Sequence, residues 1–111
     1  MMEVKTPEEF FEKQLPLRFK PDKAAGIDAT IQLGLSGGPR EQEWVVIIKN
    51  QKLQISRGTN PSTSLSIRIT ENDFLDIVNG KLGVEKAFFT GRIRFQGNIN
   101  VALKLRDAGL L

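Results

Sequence analysis

The chain has 111 residues, a length that fits one domain, and 40% of them are hydrophobic and 26% charged, as in globular proteins. It contains no cysteine, histidine or tyrosine. This excludes disulfides, thiolate nucleophiles, cysteine or histidine metal sites and histidine as a general base. The net charge is +3, and the basic excess lies in the C-terminal third. Such a surface is either simply solvated or favours anionic membranes, acidic head groups or nucleic acid.

The ends of the chain carry no recognisable address. No apolar run approaches the ~20 residues of a membrane span. The N-terminus lacks the apolar core of a signal peptide, and residues 108–111 are not the peroxisomal Ser-Lys-Leu signal. We therefore expect a cytoplasmic protein in which residues 1–111 form a single domain.

The first segment has the features of a helix start. Thr6 is suited to cap it, Pro7 to its first position and Glu9 to complete a capping box. Pro16 is expected to disturb or end this helix. The apolar face of the helix comprises Phe10, Phe11 and Leu15.

Four strands are predicted next. Residues 29–35 alternate between apolar and polar, which indicates a strand with one wet face. Residues 44–48 are apolar on both faces, which favours a central strand. Further alternation predicts strands over residues 53–57 and 65–69.

After residue 69 the spacing of apolar residues becomes that of a helix. Thr70 is suited to cap a helix that Gly80 ends, and residues 84–90 form a second, short helix. Residues 92–96 alternate as a fifth strand, and Asn98 can cap a last helix. The order predicts an α+β fold: a five-stranded, mostly antiparallel sheet with helices covering one face.

Candidate catalytic and metal motifs fail on inspection. Residues 34–38 match the Gly-x-Ser-x-Gly pattern of hydrolases, but a strand follows them and no histidine exists to activate Ser36. Glu8 and Glu12 are interpreted as a solvated helix face, and Asp73 and Asp76 as capping and solvated residues. We therefore predict no catalytic residue, metal or cofactor, and no enzyme.

Several linked segments from Ala29 onward resemble the sterol carrier protein type 2 family of lipid-binding domains, over about three-quarters of the chain. The most specific of them is Ala-Phe-Phe-x-Gly at residues 87–91, followed by a basic strand and Gly-Asn. The resembling segments are residues 44–49, 67–75, 79–82, 86–98 and 102–105.

The resemblance implies a hydrophobic tunnel between sheet and helices that holds a sterol, fatty acid, fatty acyl-CoA or phospholipid, without catalysis or metal. Carried over by position, it places near the tunnel Phe74, Val78, Leu82, Phe88, Phe89 and Phe95, with Ile99 and Leu103 on a closing helix. The expected floor comprises Leu33, Val46 and Ile48. The expected head-group contacts are Lys81, Lys86, Arg92 and Arg94.

Three functions follow as hypotheses. The first is a lipid carrier, whose partner is a hydrophobic small molecule, with transient contact with an anionic membrane and homodimer formation as further candidates. The second is an accessory module that presents a hydrophobic substrate to a partner enzyme. The third is a nucleic-acid binder that uses Arg92 and Arg94, but alternation places Phe95 on the opposite, apolar face, so no nucleic-acid partner is expected.

Overall fold

The computed structural model describes residues 3–107. Residues 1–2 and 108–111, on which the predicted location partly rests, lie outside the described residues. A helical N-terminal segment precedes four strands, two helices, a fifth strand and a last helix, which is the predicted order. None of the helices in residues 3–107 has the length and apolar composition of a membrane span.

The N-terminal helix is continuous but consists of three segments. They are α1 (Pro7–Glu9), a π-helix (Phe10–Gln14) and α2 (Leu15–Arg18), and a short 3-10 helix (Pro21–Ala24) follows. Thr6 caps α1 as predicted, because its Oγ1 accepts from the Glu9 N–H at 3.1 Å. Of the two expected effects of Pro16, the helix is disturbed just before this residue but does not end there. The wider π turn, in which the Leu15 N–H donates to the Phe10 carbonyl, precedes the proline and lets the helix continue.

The five strands form one sheet in the order β3-β2-β1-β4-β5. Their bounds are β1 Ala29–Ser36, β2 Gln42–Lys49, β3 Lys52–Arg57, β4 Leu65–Thr70 and β5 Ile93–Gly97. Within the described part of the chain only β1 and β4 pair in parallel, because the chain crosses from the β3 edge back to β1 through residues 58–64. The mostly antiparallel sheet and the α+β class are therefore confirmed.

The strand register separates an apolar inner face from a polar outer face. Leu33 lies between Trp44 and Ile67 on the inner face, and Ile67 in turn pairs with Phe95. On the outer face Gln32 is buried, and its Nε2 donates to the Gly58 carbonyl at 2.9 Å. Successive side chains of a strand point to opposite faces, so alternation in the sequence determines both.

Three further helices complete the fold: α3 (Glu71–Val78), α4 (Val84–Phe89) and α5 (Ile99–Asp107). Thr70 caps α3, because its Oγ1 accepts from the Asp73 N–H at 3.2 Å. Asn98 Oδ1 accepts from the Asn100 N–H at 3.0 Å at the start of α5. Gly80 has φ +77°, a left-handed conformation that ends α3 without steric cost. The predicted caps therefore position the helices that pack on the inner face.

Candidate functional site

A cavity of about 100 Å³ lies between the inner face of the sheet and the helices. The helical segments before β1 and after β4 contribute Phe10, Phe11, Leu15, Arg18, Phe74, Ile77, Val78, Val84 and Leu105. The sheet contributes Ile31, Leu33, Val46, Ile67, Ile69 and Ile93. Apart from Arg18, every one of these side chains is apolar, so the cavity favours a hydrocarbon over a polar ligand.

Stacked aromatic rings build one wall of the cavity. Phe11 stacks on Phe74 with ring centroids 5.4 Å apart, and on Trp44 with centroids 4.5 Å apart. Phe10 meets both phenylalanines edge-on at 5.4 Å. These contacts fasten the N-terminal helix to β2 and α3, because such ring pairs are stabilising beyond their buried area.

Arg18 is the charged group of the cavity wall. Its Nη2 donates to the Val78 carbonyl oxygen at 3.0 Å, and its guanidinium carbon lies 5.3 Å from the centre of the Phe10 ring. A guanidinium offers five N–H donors, and in Arg18 one of them, on Nη2, is used in the hydrogen bond to the Val78 carbonyl oxygen. The remaining donors can therefore hydrogen-bond an anionic or polar group at the cavity.

A wider, more polar groove lies beside the cavity. It is bordered by the N-terminal helix and by β2 and β3, and it includes Phe19, Trp44, Leu53 and Arg57. The Arg57 guanidinium lies 4.6 Å from the centre of the Trp44 ring. Phe11 lines both the groove and the cavity, so its ring is part of the partition between them.

Four of the predicted tunnel residues line the cavity: Leu33, Val46, Phe74 and Val78. Ile48 and Leu82 are buried in the hydrophobic core but do not line it. Ile48 faces inward as expected. It pairs with Ala29, and this pair is the next inward-facing pair of β1 and β2 after Ile31–Val46, which borders the cavity. The assignment of Ile48 and Leu82 as tunnel residues stays a prediction, because it concerns a lipid-bound state.

The structure places the other predicted tunnel residues outside this cavity. Phe95 is half-buried and its ring lies 5.8 Å from that of Phe88. Since α4 directs Val84 toward the cavity and buries Ala87, Phe88 and Phe89 at its end lie toward solvent. The predicted residues that are exposed are Phe88, Phe89, Ile99 and Leu103.

The four predicted head-group cations also lie outside the cavity wall. Lys81 donates from Nζ to Glu3 Oε1 at 2.7 Å. This hydrogen bond and the opposite charges lower the pKa of Glu3 and raise the pKa of Lys81. Lys86, Arg92 and Arg94 are exposed. The structure thus presents Arg18, rather than any of these four, to the cavity.

The most important residues missed at the sequence level belong to the N-terminal helix. The predicted apolar face of Phe10, Phe11 and Leu15 was the available signal, but it did not indicate a binding role. Strand alternation was a second signal, since it places Ile67 and Ile69 on one face with Leu33 and Ile31.

Comparison with known proteins agrees with this architecture. A family model described as the SCP-2 sterol transfer family matches residues 11–108. Sterol carrier protein 2 of Homo sapiens is 33% identical over 73 residues, which cover 66% of this chain and 13% of that protein. The chain therefore spans a small part of the length of this relative.

Two solved structures show the same fold. The sterol carrier protein domain 2 of Helicoverpa armigera has a TM-score of 0.73 and 26% identity, with 96% of this chain and 91% of that chain covered. The sec-alkylsulfatase Pisa1 from Pseudomonas sp. has a TM-score of 0.79 and 26% identity, with 96% of this chain and 16% of that chain covered. With the family match extending over most of its residues, this chain belongs to the SCP-2 sterol transfer family.

Proposed function

We propose that this chain is a non-enzymatic, cytoplasmic carrier that binds the hydrocarbon chain of a lipid in the cavity between sheet and helices. The observation that carries the proposal is the composition of the cavity wall, in which Arg18 is the one charged side chain that residues 3–107 contribute among apolar ones. Family membership and the name of the human relative support a lipid as ligand. Fatty acids fit this wall best, since they combine one anionic group with a linear hydrocarbon.

The size of the cavity adds a condition to this function. An apolar cavity of about 150 Å³ is known to hold benzene. The cavity here, of about 100 Å³, therefore holds only part of a long acyl chain. Each buried methylene contributes about 0.8 kcal/mol, so the burial of a long chain supplies free energy toward separating helices from the sheet. We infer that the helical wall moves outward as the lipid enters.

Native mass spectrometry of the freshly purified protein, followed by organic extraction, tests the carrier directly. We expect an adduct that extracts as a fatty acid or another lipid. Trp44 is the only tryptophan and the chain has no tyrosine, so energy transfer from Trp44 to cis-parinaric acid gives a second readout. A mass without adduct, together with no energy transfer, would contradict the proposal and favour an interaction module.

Replacing Arg18 with methionine tests the proposed anionic end. We expect about tenfold weaker binding of palmitic acid, because a hydrogen bond to a charged group contributes about 1.5–3 kcal/mol. Binding of methyl palmitate should be unchanged, since the ester carries no charge. The measurement is competition against cis-parinaric acid with each ligand in turn.

Arg18→Lys and Lys86→Met are the matched controls. The first retains the charge and should restore part of the affinity for palmitic acid. The second removes an exposed charge outside the cavity wall and should affect neither ligand. An equal loss for acid and ester in Arg18→Met would show that Arg18 acts only through its contacts with Val78 and Phe10.

An accessory module is the second candidate function. The similarity to the sec-alkylsulfatase favours it, because the matching fold covers only 16% of that longer chain. In such a module the cavity would present a hydrophobic substrate to an enzyme. Transfer of cis-parinaric acid from the isolated protein to lipid vesicles distinguishes the two, because only a stand-alone carrier needs to release its ligand to a membrane.

A further inference from the structure

β5 forms one edge of the sheet. It pairs with β4, and among residues 3–107 no strand lies on its other side. The backbone groups on that side therefore have no strand partner, and such an edge is a template for pairing with another chain. The opposite edge differs, because β3 is bordered by the N-terminal helix, and its Arg57 lies 3.9 Å from both Glu8 and Glu12.

The outer side of the β5 edge carries uncompensated positive charge. Arg94 pairs directly with Arg68 of β4. The Arg68 side chain lies over Gly34 and forms an ion pair with Glu43, so its charge is compensated from β1 and β2. Arg94 is exposed and forms no ion pair within residues 3–107. Because like charges directly opposite each other destabilise a strand pair, Arg94 lacks a carboxylate on its free side.

The inner side of the same edge carries aromatic rings. Phe95 is half-buried, and the ring of Phe88 lies 5.8 Å from its ring. Phe88 is 51% exposed and is followed by Phe89, whose ring lies 5.9 Å away. Adjacent exposed phenylalanines on a domain indicate an interaction that uses them. The two sides of β5 therefore differ, with a cation on the outer side and aromatic rings on the inner side.

We propose that the β5 edge binds an extended segment of another protein by β-strand addition, and that this segment alternates acidic and apolar residues. In an added strand, successive side chains point to opposite faces of the sheet. One set of side chains would lie beside Arg94 on the outer side. The other set would pack on Phe95 and Phe88. A carboxylate beside Arg94 supplies the opposite charge that the neighbouring Arg68 does not.

The charges on β5 disfavour two other occupants of this edge. Two copies of the chain that paired through their β5 strands would bring Arg94 of one copy close to the cations of the other, which is repulsive. Single-stranded nucleic acid needs aromatic rings and cations on one surface, whereas β5 has them on opposite sides. An acidic and apolar peptide matches both sides at once.

This inference goes beyond lipid binding in the cavity, and its test needs no bound lipid. The probe is a seven-residue peptide, blocked at both ends, in which valine alternates with glutamate. Titrated into the ¹⁵N-labelled chain, it should shift the amide signals of residues 93–97 most. The same peptide with proline at its centre should bind about tenfold more weakly, because proline donates no hydrogen bond to a strand.

Reversing one charge should change which peptide binds. We expect Arg94→Glu to bind the valine-glutamate peptide about fivefold more weakly, because a repulsive cross-strand pair replaces an attractive one. The same variant should bind a valine-lysine peptide about fivefold more tightly than the wild type does. Phe88→Ser should weaken binding of the valine-glutamate peptide about threefold, because a cross-strand apolar contact is lost.

Lys52→Glu is the matched control, because Lys52 is an exposed cation on β3, the other edge of the sheet. It should bind both peptides like the wild type. The proposal is overturned if the valine-glutamate peptide does not bind, if the proline peptide binds equally well, or if Lys52→Glu reproduces the effect of Arg94→Glu. A wild-type dimer that Phe88→Ser dissociates would also overturn it. Circular dichroism confirms that each variant is folded.

Discussion

Replacing Ile67 with tryptophan is expected to weaken the binding of palmitic acid about a hundredfold. Ile67 lies on β4 between Leu33 and Phe95 and lines the cavity. The larger indole would occupy space that the acyl chain needs and exclude three or four methylenes. At about 0.8 kcal/mol for each methylene, the loss is about 3 kcal/mol, or two orders of magnitude in affinity. Competition against cis-parinaric acid measures it.

Ile47→Trp provides a control with the same substitution on the opposite face of the sheet. Ile47 pairs with Thr30 and Gln54 on the outer face, away from the cavity. Its variant should bind palmitic acid like the wild type. Urea unfolding of both variants separates blockage from loss of fold, since overpacking costs about 1–3 kcal/mol. Unchanged affinity in a folded Ile67→Trp variant would show that the lipid binds elsewhere.

The sheet could be predicted from the sequence because its determinants are local. Alternation over residues 29–35 and 65–69 assigned both the strands and the faces that they direct toward the core. The turn residues limited which strands could pair antiparallel. The parallel pairing of β1 with β4 depends on a crossover through residues 58–64, and no short-range signal specifies where such a crossover returns.

The cavity wall could be predicted only in part, because it depends on long-range contacts. Phe11 reaches Trp44 and Phe74, residues far away in the sequence, and alternation within one element does not reveal which element packs against it. Arg18 was missed for the same reason. It lies at the end of a helix that Pro16 was expected to disturb or end, and the helix brings it to the Val78 carbonyl only by continuing beyond that proline.

Replacing Phe11 with alanine is expected to cost about 4 kcal/mol of the free energy of unfolding. Phe11 is 1% exposed and stacks on both Trp44 and Phe74. Truncation of a buried phenylalanine removes its transfer free energy and leaves a cavity, at a total cost of about 3–5 kcal/mol. Urea unfolding followed by Trp44 fluorescence measures the loss. Phe89→Ala, a truncation of an exposed ring, should change stability by less than about 0.5 kcal/mol.

The same substitution should also change which lipids bind. Phe11 lines both the cavity and the groove beside it, so its removal joins a narrow apolar space to a wider one. We expect the affinity for a bulky lipid such as cholesterol to rise relative to palmitic acid, because a rigid ring system needs width more than length. The ratio of the two inhibition constants against cis-parinaric acid measures this. The milder Phe11→Leu variant preserves more of the fold, and an unchanged ratio in both folded variants would show that Phe11 does not separate the two spaces. If the ratio rises, a single stacked ring both holds the N-terminal helix on the sheet and limits the width of the ligand.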